Sequence, residues 1–289
     1  MPPFAHFICS LEDNFPDERD MVRAFTYRDY AIPTHVHGFY EINIVLAGDG
    51  VHQIESNSFA AGSGNVFVIP PGIVHGYSRT RRLDVFHLLI RPEFLENYAK
   101  DKAEVEGFEL LTAIEPFLRH NFQKSLFLKL SPGQLQALQP DLEVITEGGP
   151  FDYPGSGPLK NHTALKILYW LSHLLTVQTY SGAKGYSLET EQSILLALEY
   201  IHENFSRRIT VPELCERAYM SRSTFMRNFK AVCGCTPMQY LQAHRKKAAL
   251  EMLKKGGVKK TAVAHECGFY DLSHMERVLN RDREAGALL

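Results

Sequence analysis

Apolar residues along this chain fall into two regimes. From Met21 to about Leu89 they come in short runs rich in aromatic and β-branched side chains, separated by glycine and proline. Beyond Arg91 they recur every three to four residues. The first pattern predicts strands and the second helices. Residues 39–47 (FYEINIVLA) make one strand, Gly48, Asp49 and Gly50 a hairpin turn, and residues 51–55 a return strand with partial alternation. Residues 65–69 are a further strand, halted by Pro70, Pro71 and Gly72, and residues 85–90 another. Many short strands with turns between them point to a sandwich or jelly-roll barrel.

The helical regime opens at Arg91, with Pro92 suited to a first turn, and the pattern runs to about Lys100. Between 101 and 157 helical fragments are interrupted by Pro116, Pro132, Pro140, Pro150 and Pro154. Residues 158–180 then carry a broad apolar stripe of Leu165, Leu168, Trp170, Leu171, Leu174 and Leu175. That stripe suits packing on the barrel, a dimer seam, or both. Residues 181–188, with SGAKGYS, read as a linker. The chain therefore divides into a first domain over 1–180, the linker over 181–188 and a helical domain over 189–289. The fold class is α+β, a β-barrel followed by an all-α domain.

The helical domain is organised around residues 210–230, TVPELCERAYMSRSTFMRNFK. Thr210 and Glu213 stand at the spacing of a capping box. Leu214 and Ala218 mark the inward face of a short helix. Ser221 caps a second helix whose Phe225 and Phe229 face inward, leaving Arg222, Ser223, Met226, Arg227 and Lys230 on the free side. Two short helices of this kind make a helix-turn-helix with a recognition helix. Thr236 and Pro237 start a longer helix with Tyr240, Leu241, Ala248 and Leu250 inward and His244, Arg245, Lys246 and Lys247 largely outward, ended by Gly256 and Gly257. The pattern then repeats. Residues 261–269 form a short helix and turn. Residues 270–281 read as a second candidate recognition helix, with Met275 and Leu279 inward and Leu272, Ser273, Glu276, Arg277 and Arg281 outward.

Charge changes the picture by its distribution. The 289 residues sum to a net −2, yet residues 1–188 hold 15 basic and 21 acidic side chains, and residues 189–289 hold 16 and 12. Residues 206–260 alone hold 13 Lys and Arg against Glu213, Glu216 and Glu251. A basic stripe confined to one half points to a polyanion partner for that half. The composition, 45% hydrophobic and 22% charged, is that of a globular protein. The sequence contains no run of about 18 uncharged apolar residues, so no membrane partner is expected. The N-terminus lacks the basic start and apolar core of a secretory signal. Five scattered cysteines suit a reducing cytoplasm.

Candidate chemistry in the first half lies in the strands. His35 and His37 alternate onto one face of an extended segment, and Glu41 joins them if the backbone keeps that parity. Gly48, Gly64, Pro70, Gly72 and His75 complete a pattern that resembles the two motifs of the cupin superfamily, with Arg79 where cupins often carry Asn. Three imidazoles and a carboxylate suit a divalent transition metal. The same groups, with Tyr77 beside them and Asn43 and His87 nearby, suit hydrogen bonding to a small polar effector. They also suit a structural role at the barrel mouth.

Residues 189–281 resemble the DNA-binding domain of the AraC family of bacterial transcription regulators. The resemblance rests on Leu214-Cys215, Ser221, Phe225, Phe229-Lys230, Gly234, Thr236-Pro237, Tyr240-Leu241, Arg245, Ala248, Ala264, Gly268-Phe269, Asp271 and Ser273. It implies a cupin-like effector domain at the N-terminus and most resembles members that answer sugars. It also implies a homodimer, promoter DNA as partner, and RNA polymerase where the regulator activates. It places Ser223, Met226 and Arg227 at base-contacting positions, while Lys230, Arg245, Lys246 and Lys247 suit phosphates. No enzymatic activity and no cofactor are expected. The alternative is a metal-dependent cupin enzyme of isomerase or dioxygenase type with a helical appendage. The chain departs from the family at NRDREAGALL, where a closing helix is expected. That departure predicts thin cover over Met275 and Leu279.

Overall fold

The computed structural model describes residues 7–97, 105, 107–122, 128–181 and 188–286. The chain falls into two compact units, Met1–Gly182 and Ala183–Leu289. Unit one opens with β1 (Phe7–Cys9), α1 (Leu11–Asn14), β2 (Val22–Tyr27) and β3 (Ile32–His37). Then come β4 (Tyr40–Ile54), β5 (Asn57–Gly62), β6 (Asn65–Ile69) and β7 (His75–Ile90). Helix α2 (Pro92–Asn97), a π-turn at Leu110–Ile114, α3 (Glu115–Phe122), β8 (Leu128–Lys129), α4 (Pro132–Ile145) and α5 (Gly157–Ser181) complete it.

Two long strands carry the sheet. β4 and β7 pair antiparallel from Tyr40↔Ile90 to Ile54↔His75, with register shifts between Val45 and Val51 where both strands bend. On one side of the bend β2 pairs with β7 and β6 with β4; on the other β3 pairs with β7 and β5 with β4. The two leaves close on a shared core of Val45, Ala61, Phe67, Ile69, Tyr77, Leu83 and Val85. The outer face of the first leaf, including Val22, Ala24, Ile42, Ile44 and Leu88, is also buried, and α4 and α5 pack on β2.

The expected hairpin at Gly48–Gly50 is not there. Residues 40–54 form one strand, and Gly48, at φ 77°, lies so close to the Arg82 carbonyl that a β-carbon would stand 2.0 Å from it. Its glycine serves a bulge in a continuous ladder. The chain reverses instead at Glu55 and Ser56, with Glu55 at φ 52° and Ile54 facing Asn57. The last strand likewise begins at His75, ten residues before the expected start at Val85.

Along α5, Leu165, Leu168, Leu171, Leu174 and Leu175 are buried inside unit one, so its own packing uses most of the stripe assigned to a dimer seam. Leu159 and Val177 stay exposed at 39% and 43%. The linker at 181–188 lies almost wholly outside the described residues, as does the helix end expected near Lys100.

Unit two consists of α6 (Leu188–Asn204), α7 (Val211–Arg217), α8 (Arg222–Cys233), α9 (Pro237–Lys255), α10 (Lys260–Glu266) and α11 (Leu272–Gly286). Local chemistry sets the boundaries. Thr210 with Glu213 and Thr236 with Gln239 form complete capping boxes, and Ser221 and Asp271 accept from the backbone N–H groups of Thr224 and His274. Gly234, at φ 75°, ends α8. On α9 the inward residue is Ala249, fully buried, while Leu250 is 42% exposed and Ala248 is only half-buried, contrary to the expected inward set. Met275 has 0% exposure, enclosed with Ala249, Val263, Ala264, Cys267 and Phe269. The cover expected to be thin is therefore supplied by α9 and α10, with Leu279 packed at the edge.

The two helix-turn-helix units share one turn. In the first, Ala218, Tyr219 and Met220 donate backbone N–H groups to the carbonyls of Leu214, Glu216 and Cys215; in the second, Cys267, Gly268 and Phe269 donate to Val263, His265 and Ala264. The left-handed residue is Tyr219 (φ 49°) in one and Gly268 (φ 72°) in the other. Tyr219 projects into solvent, whereas a β-carbon at Gly268 would stand 2.6 Å from the Phe205 carbonyl. Gly268→Ala is therefore expected to destabilise unit two by about 1–3 kcal/mol, while Tyr219→Gly stays within about 1 kcal/mol of the parent. Urea unfolding followed by far-UV circular dichroism distinguishes the two.

Candidate functional site

The bend in the sheet brings residues from β3, β4 and β7 to one point. His35 and His37 leave β3 on the inner face, and Glu41 near the start of β4 keeps their parity across Gly38 and Phe39. His75 and His87 lie on β7, on opposite sides of its bend. Glu41 Oε2 stands 2.9 Å from His37 Nε2 and 3.1 Å from His75 Nε2, and Glu41 Oε1 stands 2.6 Å from His87 Nδ1. His35 packs its ring on His75 with centroids 4.3 Å apart. His35, His37, Glu41 and His75 offer ligand atoms all within 4.8 Å of one another, and all four are buried. Tyr77, the fifth predicted effector residue, is buried alongside, stacked on His52 at 4.4 Å and bonded through its hydroxyl to Asn43.

Charge at this point is set by burial and by the ring of imidazoles. Burial alone raises a carboxyl, but bonds to His37, His75 and His87 hold Glu41 well below the ordinary carboxylate range. Burial pushes His35 down to about 4 and holds His52 well below its usual value, so both rings are neutral. Both ring nitrogens of His52, the Asn43 side-chain oxygen and His87 Nε2 are buried without a hydrogen-bond partner. Buried polar groups left unpaired in this way are rare and call for a polar partner.

Four residues packed around this centre carry no mark in the motifs above. Phe25 stacks on His87 at 5.4 Å, Tyr27 on Tyr30 at 5.3 Å, and Tyr30 packs edge-on to His87 at 4.7 Å. His52 is the fourth. Phe25 and Tyr27 alternate on β2 opposite His87 and Val85, a period-two signal that the sequence does carry. Tyr30 and His52 gave no local signal. An open groove of about 680 Å³ lies elsewhere, along Arg28, Asp29, Gly48, Asp49, Arg81 and Arg82, and includes none of the five predicted effector residues.

In unit two, α8 buries Phe225, Asn228 and Phe229 and exposes Arg222, Ser223, Arg227 and Lys230, with Met226 half-buried between them. On α11, Met275 and Val278 are buried; Ser273, Glu276 and Arg277 are exposed and Leu272 is half-buried, with Lys260 3.5 Å from Glu276. Each helix thus presents one polar, side-chain-rich face on a fixed apolar base.

A family model described as an AraC-like ligand binding domain matches residues 21–198, and a helix-turn-helix domain model matches residues 214–282. The chain belongs to the AraC family of transcription regulators. This AraC-family regulator is 26% identical to the HTH-type transcriptional activator RhaS of Pectobacterium carotovorum, over 84% of its own length and 82% of that protein. It is 25% identical to the HTH-type transcriptional activator RhaR of Mannheimia succiniciproducens, over 86% and 83%. Among solved structures, the DNA-binding domain of AdpA in complex with a target DNA aligns at 29% identity over 31% of this chain and 80% of that one, with a TM-score of 0.30. Unsaturated fatty acid-bound ToxT from Vibrio cholerae aligns at 13% identity over 91% of both chains, with a TM-score of 0.37. As an AraC-family member the chain is a DNA-binding regulator with an effector-binding domain. Among its described residues, no helix is long and apolar enough to cross a membrane.

One predicted phosphate contact of this regulator has another job. Arg245 donates from Nε to the Phe205 carbonyl at 2.8 Å and from Nη2 to the Arg207 carbonyl at 2.6 Å. It closes the chain leaving α6, where backbone carbonyls lack helical partners. Arg245→Ala is expected to cost about 1.5–3 kcal/mol of stability. It is also expected to leave the slope of log K against log salt at the parent value, since no phosphate contact is lost. Denaturant titration and DNA binding at several salt concentrations measure the two effects.

Proposed function

We propose that unit one binds a small polar effector, of the sugar class, inside the barrel, and that unit two reads promoter DNA through α8 and α11. The observation that carries the DNA half is the face of α8. Phe225 and Phe229 anchor the helix while Arg222, Ser223 and Arg227 stand exposed together on its other side. Arg227 suits bidentate bonding to a guanine edge. Lys230, Lys246 and Lys247 suit phosphates and supply salt-sensitive affinity without sequence choice. Ser273, Glu276 and Arg277, with Leu272 beside them, form the corresponding face of α11.

The effector half is supported by a cluster of buried polar groups beside stacked aromatic rings. Glu41, Asn43, His52, His87 and Tyr77 offer hydrogen bonds to hydroxyl groups, and Tyr27 and Tyr30 offer flat faces to a sugar ring. The relatives named above are transcriptional activators. We accordingly read this chain as a non-enzymatic activator that works with RNA polymerase, as a homodimer in the cytoplasm. Effector occupancy changes the DNA affinity of unit two by a coupling free energy that is reciprocal between the sites.

Fluorescence anisotropy with the chain's own promoter DNA tests the DNA half. Arg227→Ala is expected to lose about 1–3 kcal/mol of discrimination between that site and a base-substituted one, with thermal stability unchanged. Equal selectivity in variant and parent would refute base reading by Arg227. A thermal-shift panel of small sugars and related metabolites tests the effector half. A sugar that stabilises the parent is expected to stabilise Tyr27→Ala less, because a stacking face is lost while the core is intact.

A further inference from the structure

We propose that Tyr219 and Tyr270 contact the phosphate backbone of DNA, one from the turn of each helix-turn-helix unit. Both contacts rest on the reading above, in which α8 and α11 enter DNA, and they add to what those helices supply. Among the described residues these are the two most exposed large hydrophobic side chains, at 87% and 92%. Neither ring packs on another and neither hydroxyl has a partner among the described residues. Neighbours hold each one out. Ala218 is fully buried next to Tyr219, and Phe269 is drawn into the core next to Tyr270. Tyr219 occupies the left-handed position of its turn, at φ 49°, a conformation that glycine adopts without steric cost. In the second unit that position is Gly268, where a β-carbon would meet the Phe205 carbonyl, so no side chain fits. The tyrosine of that unit stands two residues later, directly before the capping residue Asp271. Two turns that differ in sequence and packing each project one phenol.

Docking geometry indicates where the phenols go. In a helix-turn-helix the first helix crosses the DNA backbone and the second enters the major groove by its N-terminal residues. The turn between them therefore lies at the rim of the groove, beside phosphates. A side chain that bonds a phosphate there must donate, and tyrosine is among the residues that do so. Residues 218–221 and 267–271 contain no lysine or arginine. The Ser221 hydroxyl donates to Thr224 Oγ1 at 2.9 Å, and Asp271 accepts from the His274 N–H, so both serve their own helices. The phenol is the uncommitted side-chain donor of each turn. It is neutral and displaces no counterion, so it adds affinity without steepening the salt dependence. A backbone contact carries no sequence information; it fixes the register in which the recognition helix meets the bases.

The test compares the full chain with Tyr219→Phe and Tyr270→Phe, which lose only a hydroxyl, by fluorescence anisotropy on promoter DNA. Each variant is expected to bind about 3–20-fold more weakly. The loss is expected to be equal on the promoter and on a base-substituted site, with melting curve and salt slope at the parent values. Duplexes carrying one methylphosphonate, scanned along both strands, then locate the partner. At the contacted phosphate the substitution is expected to weaken the parent more than the matching Phe variant, a coupling that a structural role does not produce. Unchanged affinity in a Phe variant overturns the proposal for that tyrosine and leaves base reading by α8 standing. A loss confined to the promoter sequence, or one coupled to no phosphate, overturns it as well. A parent that does not bind its promoter overturns the DNA reading together with the contacts that rest on it.

Discussion

Glu41 is a carboxylate reduced to 4% exposure, and an ion taken that far out of water costs several kcal/mol unless partners compensate it. Its partners come from both leaves of the sheet. His37 belongs to β3, while His75 and His87 lie at distant points of one strand, β7, and reach opposite oxygens of the same carboxylate. A straight strand cannot bring both to one point. The bend in β7 is therefore part of the site. It runs through Arg79 and Arg82, both in left-handed backbone at φ 52° and 47°, a conformation that costs about 1–3 kcal/mol for a non-glycine residue. Gly48, packed against the Arg82 carbonyl, lets β4 follow. Barrel closure and the charge centre thus have one origin.

Unit two depends on a different anchor. The segment after α6 gives the carbonyls of Phe205 and Arg207 to Arg245, while Gly268 comes close to Phe205 and Ser206. Arg245 sits on the helix joining the two helix-turn-helix units, and Gly268 is the turn of the second. One short segment therefore references both reading units. It explains why the second turn needs glycine where the first tolerates an exposed tyrosine.

What the sequence made legible was local. Capping boxes at Thr210 and Thr236 act over three residues, and the alternation of His35 and His37 over two, so periodicity suffices to place them. The family's fixed points extended that over unit two. What stayed hidden was decided by partners far along the chain. A glycine with positive φ serves a hairpin or a bulge equally well, and only the pairing of Gly48 with the 81–82 segment chooses. An arginine outside an amphipathic stripe looks the same whether it meets a phosphate or a carbonyl; Arg245 meets the carbonyls 38 and 40 residues earlier. His52 and Tyr30 join the cluster around Glu41 through ring contacts with residues far along the chain. At Ala249 and Leu250 a one-residue rotation of a helical face, which composition barely constrains, changed the inward set.

The two units also place recognition differently with respect to stability. On α8 the side chains proposed to read DNA are exposed, and the bonds they make are weak and local. Ser223 lies 3.3 Å from Ser221, and Arg227 lies 3.5 Å from Asn228. They can change identity while Phe225 and Phe229 keep the helix in place, so a new operator sequence costs little in folding. In the barrel the groups that would meet an effector are themselves core. Glu41, His37, His75 and His87 hold one another, and removing one leaves buried partners unsatisfied, at about 1–3 kcal/mol each or more for a charge. Under the proposed effector reading, specificity is therefore free to vary at the aromatic residues Tyr27 and Tyr30 rather than at the charged centre.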